Sequence, residues 1–115
     1  MTQTNMLLQS TPYAVEQALI QLGAGLRTAR VRRGITMQQA AERIGTGVRS
    51  VRDAERGKVS TAAAVYLSLL WSYGLLEQIQ DAGNPLMDIE GLRLMTLREP
   101  KRAQLANPNE LDNDF

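Results

Sequence analysis

Arg49, Arg52, Arg56 and Lys58 place four cations within ten residues. The planar fork of arginine fits the acceptor edge of guanine or the oxygens of a phosphate, so Arg49 and Arg52 can engage either. Ser50 points outward between them, and Val48 can meet a thymine methyl. Arg56 and Lys58, at the end of the segment, suit phosphate contacts. Asp53 is the odd member. It can accept from the cytosine amino group, or repel phosphate and orient Arg49 or Arg56; orientation is the favoured role. The chemistry these types offer is recognition of double-stranded nucleic acid, without any covalent step.

These side chains need a helix to present them. The stretch Ile35–Lys58, ITMQQAAERIGTGVRSVRDAERGK, supplies two short helices and a tight turn. Thr36 is an N-cap type, and Gln39 three positions on completes a capping box. Ala40, Ala41 and Ile44 then share one face. Gly45 falls where the first helix must stop, since glycine tolerates the left-handed conformation of such a stop. The second helix restarts near Gly47, with Val51 and Ala54 inward and Arg49, Ser50 and Arg52 outward. A helix presented in this way can lie in the major groove.

The fixed relation of Ala41, Gly45 and Val51 resembles the Xre/Cro-type helix-turn-helix family, the phage-repressor-like DNA-binding fold. Leu26, Arg30 and Gly34 resemble that family's first helix and its end, and Glu55–Lys58, ERGK, its exit from the recognition helix. The likeness covers roughly Leu22 to Leu76. It implies an internal ion pair between Arg30 and Glu55 that ties the first helix to the end of the recognition helix. The chain departs from the family in four places. Ala40 and Ala54 stand where larger apolar residues are usual, so the local core is thin or filled by neighbours such as Tyr66. Met37 replaces a glutamine that contacts phosphate, and that contact is not carried over. Gly47 replaces Ser or Thr at the recognition-helix cap, at a cost of a few tenths of a kcal/mol.

Composition narrows the remaining options. The 115 residues include no cysteine and no histidine. Disulfides, zinc fingers, thiol nucleophiles and imidazole bases are therefore excluded. The carboxylates are scattered, so no catalytic pair suggests an enzyme, and no cofactor is implied. No apolar run approaches a membrane span. The start, MTQTNMLLQS, lacks the features of a signal peptide, and a cytoplasmic location is expected. Net charge is only +1, but nine basic residues face three acidic ones between Gly25 and Lys58. From Asp81 onward seven acids face four bases. A basic module followed by an acidic tail is the electrostatic footprint of a nucleic-acid binder with a second task.

The periodicity predicts an all-α chain: a five-helix bundle with a short extra helix and a tail. Residues 1–10 are polar and read as a flexible N-terminus. Residues 11–82 form the helix-turn-helix domain. Its first helix starts at Thr11-Pro12 and runs to about Arg33, with Ala14, Ala18, Leu19, Leu22, Leu26, Ala29 and Arg30 on one stripe. Gly23 and Gly25 weaken its middle by roughly 1 kcal/mol each, and permit a kink or a close crossing. The fourth helix spans Thr61–Tyr73, with Val65, Tyr66, Leu69, Leu70 and Tyr73 inward. Trp71 lies off that face, either at a protein interface or covering a short fifth helix, Leu75–Gln80. Residues 83–100 are a helical extension, Ile89–Arg98 ended by Pro100, whose Leu92, Met95 and Leu97 form a lid or a dimer seam. Residues 101–115 read as a flexible acidic tail.

LGAGLRTARVRRG, YLSLLWSYGLLEQI, REPKR and LDNDF together are similar to the antitoxin regulators that accompany Hip-type kinase toxins. That second likeness implies a repressor that binds a palindromic operator as a homodimer and also holds a kinase-like toxin. The alternatives are a stand-alone regulator or phage-type repressor, and an interaction module that no longer binds DNA. The acidic tail is either a toxin contact or a solubilising segment.

Overall fold

A computed structural model describes residues 5–105. Those residues are helical throughout, with turns between: α1 Met6–Gln9, α2 Tyr13–Arg32, α3 Met37–Ile44, α4 Val48–Glu55, α5 Ala63–Ser72, two 3-10 turns at Leu76–Ile79 and Pro85–Met87, and α6 Ile89–Leu105. The chain divides into two compact units, one up to Glu77 and one from Gln78 onward.

The first unit is built on α2 to α5. α4 packs against α2, α3 and α5, and α3 packs against α5. Leu26 and Ala29 of α2, Ala40 and Ala41 of α3, Val51 and Ala54 of α4, and Tyr66, Leu69 and Leu70 of α5 are buried together with Ile35 and Tyr73. The small residues at Ala40 and Ala54 are almost fully covered, and the largest side chains of this core, Tyr66 and Tyr73, come from α5 and its C-cap. Of the inward set on the fourth helix only Val65 stays half-exposed.

α2 is one helix of 20 residues. Ala14 and Ala18 lie on its exposed side, so the apolar stripe begins only at Leu19 and Leu22, which are half-buried. Gly23 is the reason the stripe works farther on. A Cβ there would fall 2.4 Å from the carbonyl oxygen of Ala54, 2.7 Å from that of Glu55 and 2.8 Å from the amide nitrogen of Gly57. Glycine thus lets α2 meet the end of α4 backbone to backbone. Gly25 meets nothing within 4 Å and has no such role.

Several boundaries differ from those the sequence predicts. The first helix, expected from Thr11-Pro12, starts at Tyr13, and Thr11 does not cap it: its hydroxyl donates to the Leu7 carbonyl. The helix expected from Thr61 starts at Ala63, and Ala62 has no side-chain cap. Thr61 instead sits in a turn whose amide donates to the Lys58 carbonyl. The short fifth helix tightens into a 3-10 turn after Gly74, which takes φ +75. Met6–Gln9, within the segment read as flexible, forms one helical turn capped by Asn5.

In the second unit Asn84 caps the turn at Pro85–Met87, and Asp88 accepts from the Gly91 amide at the start of α6. Pro100 does not end that helix, which continues to Leu105. Proline removes one backbone bond at a cost near 3 kcal/mol, but Arg, Glu, Lys, Ala, Gln and Leu around it are all good helix formers. The tail expected over 101–115 therefore begins as helix. The residues past Leu105, including Asn107–Phe115, lie outside the described residues. Leu92 and Met95 are 42% and 38% exposed, and Leu86, Met87, Ile89 and Leu97 more so.

Candidate nucleic-acid interface

The interface is built on α3, the turn after it, and α4. Thr36 and Gln39 form the capping box: the Thr36 hydroxyl accepts from the Gln39 amide at 3.1 Å, and the Gln39 side chain accepts from the Thr36 amide at 2.9 Å. Gly45 stops α3 in the left-handed region at φ 77, and its amide and that of Thr46 donate to carbonyls of the last turn. Gly47 caps α4 with extended backbone and no side-chain bond, which leaves the first amides of α4 without a side-chain partner.

α4 is strongly sided. Val51, Ala54 and Glu55 are buried. Arg49, Arg52 and Arg56 are exposed, Arg56 at the C-cap. Val48 and Ser50 are half-buried, so Ser50 is less outward than its spacing suggests. The helix therefore offers three guanidinium groups to solvent from a rigid base.

The base is held by ion pairing as well as packing. Arg30 Nε and Nη2 donate to the two carboxylate oxygens of Glu55 at 2.5 and 3.1 Å, and Nη1 donates to the Ile35 carbonyl at 2.9 Å. The two side chains are 11% and 4% exposed. One guanidinium thus clamps the end of α2, the entry to α3 and the end of α4. Its bonds to Glu55 hold Arg30 above the usual arginine range, against the opposing effect of burial.

Asp53 and Lys58 form a pair of their own. Lys58 Nζ lies 3.7 Å from an Asp53 carboxylate oxygen, and the Lys58 amide donates to the Asp53 carbonyl. Among the described residues the Asp53 carboxylate pairs with Lys58, not with Arg49 or Arg56, the partners expected for it. Half of the Lys58 side chain remains exposed. The loop that carries it is anchored from below, because the Tyr66 hydroxyl donates to the Lys58 carbonyl at 2.8 Å. Burial raises the Tyr66 phenol above its ordinary pKa.

Two positioning residues escape a reading of the sequence. Gly57, in the left-handed region at φ +72, lies against the backbone of Leu19 and Ile20. Arg33, one of the nine basic residues of the module, stays exposed but folds back onto the bundle: it donates to the carbonyls of Ala29 and Tyr73, and its guanidinium carbon lies 5.6 Å from the centre of the Tyr73 ring. A glycine inside an ERGK exit signals the first. No local pattern signals the second, since its partner is 40 residues away.

Among the described residues no cluster of His, Cys, Asp or Glu could hold a metal ion. No described helix is long and apolar enough to cross a membrane. Residues 21–80 match the model of a family described as a helix-turn-helix domain. No curated protein and no solved structure matches the chain.

Proposed function

Because the chain belongs to this helix-turn-helix domain family, we propose that it is a sequence-specific DNA-binding transcriptional repressor that acts as a homodimer on a palindromic operator. The observation that carries this is the sidedness of α4: Arg49, Arg52 and Arg56 stand exposed on a helix whose opposite face is buried and clamped. Arg49 and Arg52 engage guanine edges or phosphates, with Val48 and Ser50 beside them, while Arg56 and Lys58 hold phosphates. A helix of 8 residues reads too few base pairs for an operator. Two copies about 34 Å apart read two half-sites. The fourth and fifth helices expected from the sequence and the segment after Pro85, with apolar residues such as Leu75, Leu76, Ile79, Leu92 and Met95, supply a dimer seam.

Gel shift against a random pool, followed by a salt series on the selected duplex, tests the first part. Arg49→Ala should cost about 1–3 kcal/mol and relax preference at one base pair. Binding that is indifferent to Arg49 and Arg52 would misplace the readout. A strictly monomeric species at micromolar concentration by light scattering would remove the dimer.

The finer reading is an antitoxin that represses its own operon and sequesters a kinase-like toxin in the cytoplasm. It is supported by the likeness of LGAGLRTARVRRG and YLSLLWSYGLLEQI to Hip-type partners, and by an acidic C-terminal stretch unsuited to DNA. The rival is a stand-alone Xre-type regulator. Copurification with the product of the adjacent reading frame decides between them. A neighbour with no kinase fold, or one that does not bind, favours the rival.

A further inference from the structure

We infer that α2 carries an additional contact for a backbone phosphate of duplex DNA, with Arg27 as the donor. The inference rests on the DNA-binding reading above and extends its footprint beyond the helix-turn-helix itself.

Arg27, Met37, Arg52, Glu55 and Arg56 line a groove of about 240 Å³. Arg27 comes from α2, Met37 opens α3, and the other three close α4. The chemistry of the walls favours an anion. Both carboxylate oxygens of Glu55 are engaged by Arg30, and its side chain is 4% exposed. That carboxylate is thus already neutralised by Arg30. Met37 brings a thioether, which donates nothing. The side chains of Arg27, Arg52 and Arg56 make no ion pair and no hydrogen bond among the described residues. Three guanidinium groups around one groove repel one another unless an anion lies among them.

A second groove, of about 270 Å³, is lined by Arg27, Thr28, Val31 and Arg32. Arg27 belongs to both, so the positive surface continues from the end of α4 onto the outer side of α2. An extended track with donors at intervals suits a polyanion better than a single small ion. Arg52 and Arg56 share α4 with Arg49, so a duplex engaged by Arg49 brings its own backbone to this groove. Guanidinium groups bind phosphate oxygens by paired N–H bonds, which matches the arginine-only composition of the donors.

The salt dependence of duplex binding by the full chain tests the assignment. Each phosphate contact contributes about 0.9 to the slope of log K against log salt. Arg27→Ala should lower that slope by about this amount on the operator and on an unrelated duplex alike, and leave their affinity ratio unchanged. Arg27→Lys, which keeps the charge, should retain most of the slope. Arg49→Ala should do the reverse of Arg27→Ala and change the ratio. Arg27 is exposed and unbonded, so the helical signal should survive; should it fall in the alanine variant, Arg27→Gln gives the same reading. An unchanged slope in Arg27→Ala overturns the contact while DNA binding stands. Loss on the operator alone would make Arg27 a base reader and overturn it too. A wild-type chain that binds no duplex in a salt-sensitive way overturns the DNA reading and this contact with it.

Discussion

A methyl group placed on Gly23 would lie 2.8 Å from the amide nitrogen of Gly57. The two glycines lie at one crossing, where α2 meets the end of α4. Gly57 itself packs against Leu19 and Ile20, one turn before Gly23, with 2.5 Å from its own Cβ position to the Leu19 carbonyl oxygen. Neither position has room for a side chain, because the nearest atoms are backbone on both sides.

The crossing separates two glycines that look alike in the sequence. Gly23→Ala should destabilise the chain by about 1–3 kcal/mol or more, because the obstructing atoms cannot rotate away. Gly25→Ala should stabilise it by roughly 1 kcal/mol, since the site is open and alanine is the better helix former. Midpoints of chemical denaturation read both shifts. Equal effects from the two substitutions would show that the helices do not approach this closely.

The clamp between Arg30 and Glu55 makes a second prediction. Removing one partner leaves the other charged, buried and unpaired, at a cost of about 3–5 kcal/mol. Glu55→Ala and Arg30→Ala should each fall in this range. The double variant should be much less destabilised than the two singles added together, because no orphan charge remains. Full additivity in the double-mutant cycle would mean that the pair does not form.

The local features of this fold are legible in the residues themselves; of the long-range ones, the Arg30–Glu55 pair is legible only through the family resemblance, and others are not legible at all. Thr36, Gln39, Gly45 and Gly74 announce caps and stops because each acts on residues within one turn of itself. The all-helical class follows from the same signals. Arg33 is different. It counts as one more surface cation until the fold brings Tyr73 to it. Asp53 sits five positions from Lys58 across a helix end, a geometry that helical spacing alone does not give. Pro100 misleads because propensity penalises it correctly, while strong helix formers on both sides carry the helix through. The exposed arginines of α4 are legible as a set, because Val51 and Ala54 mark the opposite face. Their allocation between bases and phosphates depends on a duplex, which neither sequence nor fold contains.

The buried phenols give the chain an alkaline limit. Tyr66 and Tyr73 both titrate above their ordinary value, chiefly because burial disfavours the phenolate. Their contribution is fully present below about pH 10, the unfolded value, and is lost as pH rises through the higher folded values. Tyr73 has a buried hydroxyl with no partner. Tyr73→Phe should therefore be neutral or stabilising by up to about 1 kcal/mol, and should flatten the alkaline decline. Tyr66→Phe loses the bond to Lys58 and should cost about 1 kcal/mol. Denaturation curves between neutral pH and pH 11 check both. A strongly destabilised Tyr73→Phe would reveal a partner for that hydroxyl.

The Asp53–Lys58 pair predicts a gain of binding on losing a charge. Lys58 is the proposed phosphate donor after α4, and its ammonium lies 3.7 Å from the Asp53 carboxylate. A duplex backbone at Lys58 must also approach that carboxylate, and the two anions repel across a distance too short for salt to screen. Asp53→Asn keeps the shape and removes the charge. It should strengthen binding to unrelated duplexes and to the operator together, most at low salt, and steepen the salt dependence as Lys58 engages phosphate fully. Lys58→Ala in the same background should cancel the gain. The exposed pair itself is worth little to folding, so stability should move by less than about 1 kcal/mol. Asp53→Asn that instead weakens only the operator would assign the carboxylate to a base, most simply the cytosine amino group, and would take it out of the electrostatic balance at Lys58.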